Sequence, residues 1–196
     1  MPIDIIPAGY LMTWVFGYGS LIWRPSFSYR DAQPALLRGW RRRFWQGSPD
    51  HRGTPDEPGR VVTLVEDATA DCWGIAFDIK GQDVQKIFGE LDSRESGGYV
   101  RTMVEVEFAD TTYVSALTYY APPENANFLG PASIAQIASQ IRDCSGDSGH
   151  NVEYVLRLAE ALRQFGIVDH DVDALAQSVR RLVEDGNPPI DNGIQK

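Results

Sequence analysis

From residue 100 to 108 the chain alternates Val100, Thr102, Val104, Val106 and Phe108 with Arg101, Met103, Glu105 and Glu107. A period of two with one charged face predicts a half-buried strand. Strand-like runs also occur at 13–18, 35–45, 61–66, 71–79 and 112–120. Between the fourth and fifth of these six the period lengthens. Val84, Ile87, Phe88 and Leu91 recur at i, i+3, i+4 and i+7, and Asp83 stands where an N-cap belongs, which predicts a short helix.

After residue 120 the pattern becomes helical. Pro131 can open a helix carrying Ile134, Ile137 and Ile141 on one side. A second helix is predicted over 151–165, with Val152, Val155, Leu156, Ala159 and Leu162 inward and Gly166 ending it. A third begins near Asp169 with Val172, Leu175, Val179 and Leu182 inward. Strands early and helices late predict an α+β fold, a small curved β-sheet or β-barrel with flanking helices. Pro2, Pro7 and Gly9 break any period at the start, so the expected organisation is an arm at 1–12, a single domain over 13–185 and a polar tail at 186–196.

Composition narrows the function classes. The 196 residues are 43% hydrophobic and 23% charged, which suits a globular domain with a real core. A net charge of −9 repels nucleic acid and anionic membrane surfaces, so neither is an expected partner. Cys72 and Cys144 have no CxxC neighbour and are expected as buried thiols in a reducing compartment. His51, His150 and His170 do not stand at metal-ligand spacing, and no metal is expected. Asp4 occupies the place of a basic signal n-region, and no apolar run approaches the ~20 residues of a membrane span. A cytoplasmic location is the expectation.

Three segments carry more than folding requires. In Phe16-Gly17-Tyr18-Gly19-Ser20-Leu21-Ile22-Trp23, two glycines at a strand end allow a tight turn that exposes amides able to bind a carboxylate or an oxyanion. An ordinary strand-ending turn explains the same residues. Residues 41–55 set Arg41, Arg42 and Arg43 beside Phe44 and Trp45, then a long Pro/Gly loop. Arginine beside aromatics is also a single-strand nucleic-acid pattern, but with this net charge a strand with arginine on its solvent face is the better reading. Leu91-Asp92-Ser93-Arg94-Glu95-Ser96-Gly97-Gly98-Tyr99 follows the short helix and puts Glu95 at a junction of elements, where catalytic groups are commonly held.

In this order the segments resemble the ChaC-type γ-glutamylcyclotransferases. The matching stretches are Trp14-Val15-Phe16-Gly17-Tyr18-Gly19-Ser20-Leu21-Ile22-Trp23, Arg42-Arg43-Phe44-Trp45-Gln46-Gly47-Ser48, Asp50-His51-Arg52-Gly53-Thr54-Pro55 and Pro58-Gly59-Arg60-Val61-Val62-Thr63-Leu64. Leu91-Asp92-Ser93-Arg94-Glu95 with Gly98-Tyr99, and Ser148-Gly149-His150-Asn151 before Tyr154, complete the set. Asp147 departs from it, standing where the family is expected to carry proline, and the arm has no counterpart.

The resemblance implies a small β-barrel with flanking helices, and cleavage of glutathione to 5-oxoproline and cysteinylglycine without metal or cofactor. It further implies that Gly17, Tyr18, Gly19, Ser20, Leu21 and Ile22 bind the γ-glutamyl group and that Glu95 is the acid/base. Such a reaction needs no protein nucleophile, because the substrate's own α-amine attacks its γ-carbonyl. A free glutamate titrates near ~4.3, so Glu95 is expected to be desolvated and raised toward ~6–7. Arg52 and Tyr99 are candidate substrate contacts, with a structural pairing of Arg52 to Asp50 or Glu57 as the competing reading. Another γ-glutamyl substrate, or a non-catalytic binding module of the same fold, remains open at this point.

Overall fold

A computed structural model describes residues 13–186, which fall into two compact units. The first is built from residues up to Arg42 and from Thr63–Ala126, the second from Arg43–Val62 and from Asn127 onward. Five strands form a closed barrel: β1 (Trp14–Gly17), β2 (Asp31–Ser48), β3 (Gly59–Asp78), β4 (Val100–Glu107) and β5 (Tyr113–Tyr120). Their order around the barrel is β1-β3-β2-β4-β5.

β1 runs antiparallel to β3, with Trp14 opposite Asp78 and Gly17 opposite Ile75. It meets β5 in parallel at Val15 and Leu117. β4 and β5 form a hairpin in register from Val100–Tyr120 to Glu107–Tyr113. The alternation read from the sequence is realised where it matters, with Val104 and Val106 buried and Glu105 exposed, although Val100 at the strand start is 43% exposed.

The runs at 61–66 and 71–79 are one strand, not two. Asp67 accepts hydrogen bonds from the Thr69 amide and hydroxyl, a local turn-like motif, yet the chain does not reverse. Arg41 on β2 pairs with Asp67 at 2.9 Å, and Arg38 with Asp71 at 3.4 Å, so β2 stays beside β3 through this polar stretch.

Helix α1 (Val84–Arg94) lies in the first unit, and its N-cap Asp83 accepts from the Lys86 amide at 3.1 Å. Ile87, Phe88 and Leu91 join Val15, Leu21, Ile79, Leu117 and Tyr119 in one buried cluster. Full burial of such side chains stabilises by about 1.5–3 kcal/mol each. The helix runs further than its apolar pattern indicates. Leu91-Asp92-Ser93-Arg94 is its last turn rather than a loop beyond it, and Glu95 is the C-cap, its amide bonded to the Leu91 carbonyl at 2.9 Å.

The second unit holds α2 (Ile134–Asp143), α3 (Asn151–Gln164) and α4 (His170–Gly186), with a two-residue ribbon of β6 (Ser145–Gly146) and β7 (Gly149–His150) before α3. α2 starts three residues after Pro131, because Ser133 and Gln136 close a capping box there, and Ile134 in its first turn is exposed. The buried face of α3 is Tyr154, Val155, Leu158, Ala159 and Leu162, while Val152 and Leu156 are half-buried at its margin. Gly166 ends α3 at φ +71°, its amide bonded to Arg163 and that of Ile167 to Leu162, a Schellman closure. α4 continues through Gly186, where the polar tail was expected to begin. The rest of that tail and the arm at 1–12 lie outside the described residues.

The Ser148-Gly149-His150-Asn151 stretch has a structural role. His150 Nδ1 accepts from the Val152 amide and caps α3. Asn151 is fully buried, accepting from the Arg60 amide at 2.6 Å and donating to the Arg60 carbonyl at 2.9 Å. The Asp147 amide donates to the Asp50 carbonyl at 2.9 Å, a bond that a proline there would lack. Replacing Asn151 with alanine strands both Arg60 backbone groups. The expected loss is about 2–4 kcal/mol of stability, read as a lower urea midpoint with an unchanged m-value.

Candidate active site

The predicted site begins where β1 ends. After Gly17 the chain makes a single 3₁₀ turn (Ser20–Ile22), with Gly19 as its N-cap and the Ile22 amide bonded to the Gly19 carbonyl at 3.0 Å. The amides of Gly19, Ser20 and Leu21 open this turn, and none donates to a backbone carbonyl among the described residues. Tyr18, Leu21 and Ile22 bury their side chains and anchor it. Tyr18 donates its hydroxyl to the Tyr119 carbonyl at 2.7 Å, and the buried Arg42 donates through Nε to the Tyr18 carbonyl at 2.7 Å. Gly17 is required by space, since a Cβ there would sit 2.8 Å from Leu21 Cβ and 3.3 Å from the Phe77 ring.

Glu95 comes to the same unit from the end of α1. Its side chain is 16% exposed, and its Oε1 lies 3.3 Å from Arg94 Nε. Arg94 reaches across to the turn. Nη2 donates to Ser20 Oγ at 2.7 Å, and Nη1 donates to the Arg24 carbonyl at 2.7 Å and to Ser26 Oγ at 2.8 Å. One guanidinium therefore ties the glycine turn to Glu95. Burial and the neighbouring guanidinium act on this carboxylate in opposite directions, burial favouring the acid and Arg94 the anion.

Beyond Glu95, Gly98 adopts φ +101°, and a Cβ there would also meet Asn125 Oδ1 at 2.6 Å. Tyr99 follows, half-buried against the cluster that contains Leu21 and Leu91.

Sequence reasoning missed two further groups. Tyr119 donates to Asp92, which also pairs with Arg101 at 3.1 Å. Burial first, then the hydrogen bond to Asp92 and its negative charge, push the Tyr119 phenol well above its ordinary value, and Glu95 adds to the shift. Tyr119 thus stays a neutral hydrogen-bond donor. Its signal was faint, one aromatic at the end of an alternating strand. Arg94 was within the quoted segment, but nothing in the sequence said what it would reach.

Arg52 belongs to the second unit. Its side chain is 9% exposed, donates to the His150 carbonyl and to Glu153 at 3.1 Å each, and stacks over Tyr154 at 5.7 Å. Its acidic partner is Glu153 rather than Asp50 or Glu57. The arginine run lies on β2, with Arg41 and Arg43 on its half-exposed face and Arg42 turned to the interior. Arg41 pairs with Asp67, Arg42 is buried at 3% exposure, and Arg43 pairs with Asp171. A serine, a histidine and an aspartate do meet in the second unit, with His51 Nδ1 3.1 Å from Ser148 Oγ and Nε2 3.8 Å from Asp50. The His51 and Asp50 side chains are more than half exposed, and among the described residues no buried acid orients the imidazole as an acyl-transfer triad requires. Both cysteines are buried and not joined in a disulfide, and burial raises the Cys144 thiol. Among the described residues no cluster of metal ligands forms, and no helix is long and apolar enough to cross a membrane.

The architecture is that of a γ-glutamylcyclotransferase. A crystal structure of a γ-glutamyl cyclotransferase specific to glutathione from yeast aligns with a TM-score of 0.80 and 30% identity, covering 86% of this chain and 96% of that one. The family model described as ChaC-like protein matches residues 13–182, and the chain belongs to that family. Among its relatives are proteins named glutathione-specific gamma-glutamylcyclotransferase 1. The one from Danio rerio is 46% identical over 166 residues, covering 83% of this chain and 84% of its own length. The one from Homo sapiens is 48% identical over 159 residues, covering 78% and 71%.

The environment of Tyr119 has a measurable consequence. Above pH ~10 the unfolded chain releases the phenolic proton while the native chain keeps it, so stability must fall as pH rises past that value. Tyr119→Phe should flatten this alkaline decline in a series of denaturant melts between pH 8 and 11.

Proposed function

We propose that this chain is a glutathione-specific γ-glutamylcyclotransferase in which Glu95 is the acid/base and the turn at Gly17–Ile22 binds the γ-glutamyl group. The observation that carries the reading is the junction of a largely buried carboxylate with a turn whose first amides donate to no backbone carbonyl among the described residues, held together by Arg94. The α-amine of the γ-glutamyl group attacks its own γ-carbonyl carbon, a new C–N bond closes the five-membered lactam, and the amide bond to cysteine breaks. The products are 5-oxoproline and cysteinylglycine, with no water consumed.

An α-amine titrates near ~7.7–8.0 and is largely protonated at neutral pH, so a base must first remove its proton. Glu95 takes that proton and returns one to the departing cysteinyl nitrogen. The amides of Gly19, Ser20 and Leu21 stabilise the oxyanion, because fixed dipoles need no reorganisation as charge develops. Tyr18, Leu21 and Ile22 serve this by anchoring the turn, and Tyr99 borders it. Arg52 is read as structural, supported by its bonds to His150 and Glu153.

Residues 13–185 are read as one catalytic domain, which the family match over 13–182 supports. A cytoplasmic setting agrees with two buried thiols outside any disulfide and with a substrate that is itself a thiol.

Purified wild type and Glu95→Gln are to be incubated with glutathione and with γ-Glu-Ala, and 5-oxoproline quantified by mass spectrometry. Wild type is expected to form it from glutathione, and Glu95→Gln to be slower by at least about 10²-fold. Equal rates from the two proteins would remove Glu95 as the acid/base; product from γ-Glu-Ala alone would move the substrate. Gly17→Ala forces Leu21 and the turn to shift, and should lower kcat/KM by about 10²-fold in the same assay.

A further inference from the structure

The turn and Glu95 come from distant parts of the chain, Ser20 and Arg94 being 74 residues apart. The reaction nevertheless requires that amides and carboxylate face one substrate at the same moment, and their mutual placement needs a physical cause. We propose that Arg94 is a positioning residue, whose guanidinium holds the glycine turn and Glu95 in register so that the γ-carbonyl and the α-amine are engaged together. The proposal rests on the roles given above to Glu95 and the turn.

Arg94 sits at the last position of α1, directly before Glu95. Its planar fork carries five N–H donors, and the geometry uses them in three directions. Nη2 takes Ser20 at the start of the turn, Nη1 takes the Arg24 carbonyl and Ser26 Oγ after it, and Nε faces Glu95. A lysine ammonium is a point charge with three donors and cannot span these groups at once.

Ser26 supplies an independent observation. It is a non-glycine residue at φ +63°, in the left-handed region. Such a conformation persists where the surroundings over-determine it. Its hydroxyl donates to the Arg24 carbonyl and accepts from Arg94, which also donates to that same carbonyl. The far end of the loop is thus pinned by the same guanidinium as the turn.

A purely structural role is the competing explanation, since a cation in the last turn of a helix favourably meets the helix dipole. Arg94→Lys separates the two. It keeps the positive charge at the helix end and near Glu95 while removing the fork. Its melting temperature should stay near that of wild type, while KM for glutathione rises and kcat/KM falls roughly 10- to 10²-fold.

Arg94→Met removes the charge as well. The acidic limb of its kcat/KM–pH profile should move to higher pH, because a carboxylate without its cation is protonated more readily. Asp92 on α1, Tyr99 after it, Arg101 on β4 and Tyr119 on β5, ionisable groups near this junction among the described residues, are unchanged in both variants. Wild-type kinetics in Arg94→Lys would overturn the positioning role alone, as would a lowered melting temperature with kcat and KM intact. Absence of 5-oxoproline from wild type would overturn the functional reading and this inference with it. If Arg94→Met does not fold, Arg94→Lys and Ser20→Ala decide the question, the latter expected to raise KM without moving the pH profile.

Discussion

Ile87, Phe88 and Leu91 give α1 one apolar face, and that face packs on Val15, Ile79 and Leu117 of the barrel. Everything at the site depends on this contact. It sets where the helix ends, and the end of the helix is where Arg94 and Glu95 stand. Leu21 belongs to the same cluster, so the turn and the helix share one buried support although they meet through polar groups above it. Rigid apolar packing fixes backbone positions to within fractions of an ångström, a precision that hydrogen bonds between exposed side chains do not reach alone.

The chemistry asks little of the protein because the substrate brings its own nucleophile. What remains is orientation, one proton carrier and a set of dipoles. In the proposed reaction backbone amides meet the last need without a functional side chain, and the glycines of the turn, flanked by buried anchors, suit that role. A carboxylate in partly dry surroundings, as proposed for Glu95, meets the second. Tyr119 and Asp92 help to define those surroundings, since the phenol stays protonated and the Asp92 charge is shared with Arg101.

Much of this was legible in the residues. The period in 100–108, the cap at Asp83 and the stop at Gly166 each mark an element through local physics, and each element is there. Where a boundary rests on tertiary contacts, the sequence misleads. Asp67 and Thr69 carry a turn signature, yet Arg41 and Arg38 hold two strands side by side through it. The glycine turn and Glu95 were readable as an ordered set of motifs, because a tight backbone and a junction carboxylate constrain local residue types. Arg94 and Tyr119 were not, since their meaning lies in partners 68 or more residues and 27 residues away, and no local pattern encodes such a meeting. Arg52 shows the converse, a residue inside a motif whose visible partners are those of a structural staple.

Glutathione passes between thiol and disulfide forms, and its oxidised form exchanges with any protein thiolate that it can reach. Cys72 and Cys144 are both buried, and the Cys144 thiol is held away from ionisation. Exchange needs an accessible thiolate. The folded chain therefore offers no handle for a mixed disulfide with the oxidised form of its own substrate. A shift of the surrounding pool toward its disulfide form therefore leaves the chain's own cysteines unmodified.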